Sequence, residues 1–150
     1  MLAVQYDLFV SYCDKGDTVN AERLGTDLLN NSKYRSVMTD KTTAEILRYM
    51  GDCYFDEGDF ANAVENYKSA YEIADDDNVE VCLRDYAIAL VKGKRFSEAQ
   101  SVISMAEEKF PNSSVNKLLQ AEIEYENGNL ENSLNYANEC LTTEPNGDNA

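Results

Sequence analysis

Between Leu47 and Tyr71 the apolar residues recur at three- and four-residue spacing in two runs with one interruption. Leu47, Met50, Gly51 and Tyr54 share one face of a first helix, and Phe60, Ala63, Val64, Tyr67, Ala70 and Tyr71 share one face of a second. Gly58-Asp59 breaks the pattern between them, so the spacing predicts two antiparallel helices joined by a short turn. The small residues Gly51, Ala63 and Ala70 let helix axes approach closely, while Leu47, Tyr54, Phe60 and Tyr67 fill the space beside them.

Weaker copies flank this unit. On the amino-terminal side Leu2, Val4, Leu8, Phe9 and Tyr12 predict a helix ending at Lys15-Gly16-Asp17, and Ala21, Leu24, Leu28 and Leu29 predict its partner. Gly16-Asp17-Thr18 aligns with Gly58-Asp59-Phe60. In that register Phe9 and Leu28 take the places of Gly51 and Ala70, and large residues there imply a wider helix separation. Asn30-Asn31-Ser32 stops the second helix, and an insertion of eight residues, about 36–43, follows as a loop or an early extension of the next helix.

After Asp75-Asp76-Asp77-Asn78 a third unit, 80–113, carries Leu83, Tyr86, Ala87, Leu90, Phe96, Ala99, Ile103, Ala106 and Pro111 in register, with Lys94-Arg95 where the first two have Gly-Asp. A fourth, 114–147, is anchored by Ala121, Gly128-Asn129-Leu130 and Pro145. Its first helix departs from the pattern: Lys117, Gln120 and Glu124 stand at apolar positions, with Leu118, Leu119, Ile123 and Tyr125 beside them, so it is expected to be rotated or only partly buried. Leu134, Ala137, Cys140 and Leu141 make its second helix apolar enough to need covering. Only Asp148-Asn149-Ala150 follows, which suggests a fragment or an open end that docks on another chain.

The residues 44–77 match the spacing of the tetratricopeptide repeat, W-x2-L-G-x2-Y then A-x3-F then P, at Leu47, Met50, Gly51, Tyr54, Ala63, Tyr67 and, in place of proline, Asp75. The chain therefore resembles that family. The resemblance implies an all-α superhelix of about four helical hairpins in one domain, residues 1–150, with repeats at about 2–35, 44–77, 80–113 and 114–147 and the first and last degenerate. It also implies a concave groove lined by the first helix of each repeat. The positions carried over are Glu45, Arg48, Asp52, Phe55 and Asp56, then Val81, Arg84, Ile88, Val91 and Lys92, then Val115, Leu118, Glu122, Tyr125 and Glu126. Arg48 and Arg84 could meet a peptide carboxylate there, or pair with Asp52, Asp85 or Glu45 on the same surface. The carboxylate clamp of chaperone-binding members has no counterpart: its places read Arg48, Asp52, Asp85, Val115 and Leu119 in one register, and Tyr6, Val10, Tyr49, Val81 and Asp85 in the other.

A looser resemblance concerns arrangement. The first hairpin with Asn20-Ala21-Glu22-Arg23-Leu24, the irregular link, and the strong repeat reading Gly51-Asp52-Cys53-Tyr54-Phe55 and Phe60-Ala61-Asn62-Ala63-Val64 look like the amino-terminal domains of the tetratricopeptide scaffold subunits of the anaphase-promoting complex. Those domains mediate homodimerisation, which implies self-association in a ubiquitin ligase. Candidate contacts are Tyr6 and Phe9 in the first repeat and Leu134 and Leu141 in the last.

A formal charge of −15 over 150 residues disfavours nucleic acid and anionic membrane, since phosphate is repelled, and suits a basic protein partner. No stretch approaches the eighteen apolar residues of a membrane span. Cys13, Cys53, Cys82 and Cys140 are separated by 40, 29 and 58 residues with no Cys-x2-Cys pair and there is no histidine, so a zinc site is disfavoured and a histidine-based triad cannot be built. The cysteines read as small half-buried side chains in a reducing compartment, cytoplasmic or nuclear. Gly16, Gly58, Gly93 and Gly128 lack the surroundings of a phosphate loop, and carboxylate pairs such as Asp56 and Asp59, or Glu107 and Glu108, fall at helix ends and solvent faces. No catalytic residue, metal, cofactor or small-molecule substrate is implied. The expected role is a non-catalytic scaffold or adaptor taking a peptide or helix in its groove, with an assembly module as the alternative.

Overall fold

The computed structural model describes residues 1–143. Pro145, Gly147 and the segment Asp148-Asn149-Ala150, which bear on the end of the fourth repeat, lie outside the described residues. Among the described residues the fold is all-α, with nine helices in the order α1 (Leu2–Asp14), α2 (Thr18–Asn30), α3 (Ser32–Arg35), α4 (Asp40–Asp56), α5 (Phe60–Ile73), α6 (Val79–Lys92), α7 (Phe96–Lys109), α8 (Ser114–Glu126) and α9 (Leu130–Thr143). The arrangement is tetratricopeptide-like. The chain divides into two compact units, Met1–Cys82 and a second beginning at Leu83.

One turn geometry is used four times. The N–H groups of Asp17, Asp59, Arg95 and Asn129 donate to the carbonyls of Tyr12, Tyr54, Leu90 and Glu124, five residues back in each case, at 2.8–2.9 Å. That bond closes the end of a helix, and it needs a left-handed residue just before the donor. Gly16, Gly58 and Gly128 supply it with φ of 67°, 78° and 80°. Asp17 and Asp59 then cap the following helix by accepting from the N–H of Asn20 and Asn62.

The third turn keeps the backbone path without these aids. Lys94 takes φ of 58°, and Arg95, which has no capping acceptor, forks onto Glu98 with two bonds of 2.7 Å. A side chain in the left-handed region costs about 1–2 kcal/mol, part of which glycine returns through its freer unfolded state. Lys94→Gly is therefore expected to stabilise the chain by about 0.5–1 kcal/mol, read as a higher urea midpoint. Its ion pair with Glu126, 3.7 Å long and exposed, is too weak to reverse that sign.

In the first unit α4 packs against α5 on one side and α1 and α2 on the other. Ile46, Met50 and Cys53 face a core with Phe9, Ala21, Leu28 and Tyr34, while Gly51 faces Tyr67 of α5. Ile46, fully buried, was not among the residues the spacing singled out. The first hairpin differs from expectation in how it makes room for Phe9. A Cβ on Gly25 would lie 2.8 Å from the Phe9 ring, just as one on Gly51 would lie 2.6 Å from the Tyr67 ring. In the register of the turns Gly25 corresponds to Tyr67 and Phe9 to Gly51, so the large and small partners have exchanged helices. The room for Phe9 is supplied by Gly25, a compensation that a reading of position nine alone misses.

The insertion is structured. Just ahead of it Asn31 caps α3 and the Tyr34 ring is buried in the core, and within it Thr39 caps α4, which begins four residues ahead of Ala44. A helical turn and an early helix extension both occur.

In the second unit the small positions Ala87, Ala99 and Ala106 are buried, as Gly51, Ala63 and Ala70 are in the first. Helix α8 buries Asn116, Leu119, Ala121 and Ile123, three of them at the places of Ile46, Gly51 and Cys53, while Lys117, Gln120 and Glu124 are half-buried, and Asn116 meets the Phe110 carbonyl with its amide at 3.5 Å. Lys117 instead reaches outward between Glu107 of α7 and Glu139 of α9, at 3.4 and 3.3 Å, with its ammonium 5.6 Å from the Tyr136 ring centroid. Burial lowers its pKa, but the two carboxylates outweigh that and raise it. The Ser133 hydroxyl donates to the Ala121 carbonyl at 2.8 Å, marking close approach of α8 and α9 at the positions of Ala63 and Gly51.

Candidate partner-binding surface

In the first unit Glu45, Arg48, Tyr49 and Asp52 recur at helical spacing along α4 and line one cleft with Tyr6 of α1 and Asn78, of about 260 Å³. Three of the five groove residues carried over to α4, Glu45, Arg48 and Asp52, thus sit together, and Asp56 is not among the lining. Phe55 lies further along, half-buried and packed edge-on against Phe60, with ring centroids 5.2 Å apart. Tyr49 was missed. Tyr6 was expected as a self-association contact, although it stands at the first-repeat counterpart of Arg48, and that alignment was a signal for its place in the cleft.

With 28 acidic residues against 13 basic ones, the chain has too few cations to pair its interhelical carboxylates. Tyrosines take over part of that role. Tyr6 donates to Glu45 at 3.0 Å, Tyr54 of α4 to Glu22 of α2 at 2.7 Å, and Tyr67 of α5 to Asp52 at 2.6 Å. Each bond needs the phenol protonated. Burial first, then the Glu45 carboxylate, raises the pKa of Tyr6 well above its ordinary value, and burial with Glu22 pushes Tyr54 up to about 12. A raised folded-state value means that the contribution is whole below the ordinary tyrosine pKa of about 10 and is lost as pH climbs through the folded value. The urea midpoint is accordingly expected to fall from about pH 10 upward, and Tyr54→Phe to flatten the part of that fall lying between about 10 and 12.

In the second unit Arg84 is engaged with Asp85, its Nε and Nη2 at 3.1 and 3.0 Å from the same oxygen, so the same-surface pairing holds for this residue. Lys92 of α6 pairs with Glu122 of α8. Ile88 is half-buried. Val91 is only 3% exposed, so its assignment to a groove surface is corrected: it belongs to the core, where α6 buries Leu90 and Val91 together. Leu118 and Tyr125 are 52% and 63% exposed on α8.

Of the proposed self-association contacts, Phe9 is fully buried and can make none without unfolding its hairpin, which corrects that assignment too. Leu134 and Leu141 are 62% and 76% exposed on α9. All four cysteines are free, with Cys53, Cys82 and Cys140 buried and Cys13 half-buried. The Cys13 and Cys53 thiols meet between α1 and α4, and burial raises the pKa of both.

Among the described residues no group of three or more Cys, Asp or Glu side chains is placed to hold a metal ion, and no helix is long and apolar enough to cross a membrane. A comparison with curated proteins returned no match. The stretch 54–123, from the end of α4 into α8, matches the family model of the tetratricopeptide repeat, a unit that generally mediates protein–protein interaction.

Proposed function

We propose that the chain is a non-catalytic scaffold of the tetratricopeptide type that holds a basic peptide or helix of a protein partner on the first-helix surfaces of its hairpins. The cleft on α4 carries this reading. Glu45 and Asp52 stand at either end of it, the rings of Tyr6 and Tyr49 help to wall it, and Arg48 lies between. A lysine or arginine side chain would meet a carboxylate and an aromatic face together, while Arg48 would exclude a second cation from the middle. The charge of −15 steers such a partner toward the chain. In the second unit Leu118 and Tyr125 offer apolar surface and Glu122 a carboxylate, and Arg84 serves the surface through Asp85. Four free thiols fit a reducing compartment, cytoplasmic or nuclear.

Glu45→Gln and Asp52→Asn keep acceptors for Tyr6 and Tyr67 while removing the charges. On an array of lysine- and arginine-containing peptides, each substitution is expected to weaken the bound members about tenfold. Binding that is indifferent to both substitutions would remove the reading.

The exposure of Leu134 and Leu141 on α9 favours a second reading, a module that self-associates or assembles into a larger complex, such as the ubiquitin ligase implied by the amino-terminal resemblance. Light scattering across a concentration range separates the two readings, because a monomer at every concentration excludes self-association.

A further inference from the structure

The link between the first two hairpins, from Asn31 to Thr43, is held more firmly than a spacer requires. Asn31 accepts from the N–H of Lys33 at 3.1 Å, Thr39 accepts from the N–H of Thr42 at 3.2 Å, and Tyr34 anchors the segment in the core. Beside it lies a cleft of about 430 Å³ whose apolar surface comes from Leu29, Met38 and Ile73 and whose rim carries Arg35, Asp40 and Thr43. It shares α4 with the cleft at Glu45 but no residue.

The local charge runs against that of the chain. Residues 33–41 hold three cations, Lys33, Arg35 and Lys41, and one carboxylate, Asp40, a net +2 within a chain of −15. Screening at physiological salt limits the reach of exposed charges to about 8 Å, so a ligand here is governed by the charges at the cleft itself, where Arg35 and Asp40 line it and Lys33 and Lys41 are their near neighbours in sequence. The Arg35 side chain is exposed and makes no ion pair among the described residues. Asp40 lies in the first turn of α4, where the helix dipole favours it.

We infer that this cleft docks an acidic segment of a partner protein, with an aliphatic side chain against Leu29, Met38 and Ile73 and a neighbouring carboxylate forked onto Arg35. Lys33 and Lys41 strengthen the local field, and Asp40 turns carboxylates toward the Arg35 side. A nucleic acid is a poor occupant, because three cations beside a carboxylate give a polyanion too few contacts.

The test is selection of a displayed random twelve-residue peptide library on the full chain at physiological salt, followed by anisotropy titration of the enriched peptides. The expected outcome is a class pairing Asp or Glu with Leu, Ile or Met whose affinity falls at least tenfold with Arg35→Glu and is unchanged by Arg23→Glu, an exposed control on α2. That class is expected to ignore Glu45→Gln, which keeps this result distinct from the test of the other cleft. Circular dichroism checks that Arg35→Glu stays folded, as an exposed side chain allows, and Arg35→Gln provides a milder second variant. Absence of an acidic class, or acidic peptides that bind both Arg35 variants as tightly as the parent, overturns the inference. So does a dimer of the chain alone that Arg35→Glu dissolves, since the occupant would then be a second copy.

Discussion

Phe9→Ala is expected to lower the stability of the chain by about 3–5 kcal/mol, seen as a drop in urea midpoint with little change in slope. The ring is fully buried, packs edge-on against Tyr49 with centroids 6.1 Å apart, and fills the space left by Gly25. Its removal leaves a cavity bounded by α1, α2 and α4 that helices joined by short turns cannot close. Against a typical total of about 5–15 kcal/mol, such a loss is large. The same substitution separates two roles for Phe9: an exposed contact between copies would change the oligomeric state and leave the monomer within about 0.5 kcal/mol of its original stability. A midpoint shift of that small size would rule out the nesting of Phe9 against Gly25 as the basis of the first hairpin.

Gly51→Ala should cost about 1–3 kcal/mol even though alanine is the better helix former by about 1 kcal/mol. The added methyl would sit 2.6 Å from Cε1 and 2.7 Å from Cδ1 of Tyr67, and that ring has little freedom to move. It is 3% exposed, and its hydroxyl is tied to Asp52 at 2.6 Å. Gly25→Ala meets the Phe9 ring and Met50 Sδ, both at 2.8 Å. The Met50 side chain can turn away but the fully buried Phe9 ring cannot, so a loss of similar size is expected there. Combining Gly51→Ala with Tyr67→Leu tests the cause, because a clash relieved by the smaller side chain makes the double variant more stable than the sum of the single losses predicts. Strict additivity would point to some other origin.

The two glycines bear on legibility. Gly51 could be read from the sequence because it lies in the best-formed repeat, with Tyr54, Ala63 and Tyr67 at their expected distances. Gly25 could not, although it performs the same task, because the exchange of large and small partners shows only when two helices are laid face to face. A periodic pattern names the face of a helix and leaves open which side chain stands opposite. The same gap explains Val91, which shares a spacing with surface residues and lies in the core.

The sequence by itself determined the number of hairpins, the positions of their turns and, in the second and third repeats, the small residues at which helices meet. These depend on backbone conformation and on spacing within about forty residues, both of which local chemistry encodes. Only the tertiary structure decided that Phe9 nests against Gly25, that α8 turns Lys117 out to two carboxylates, that tyrosine hydroxyls serve the carboxylates between helices, and that Leu134 is open while its counterpart Val64 is buried. The physical reason is that burial and pairing belong to two partners at once, and an apolar or charged residue reads the same in sequence whether or not a neighbour covers it.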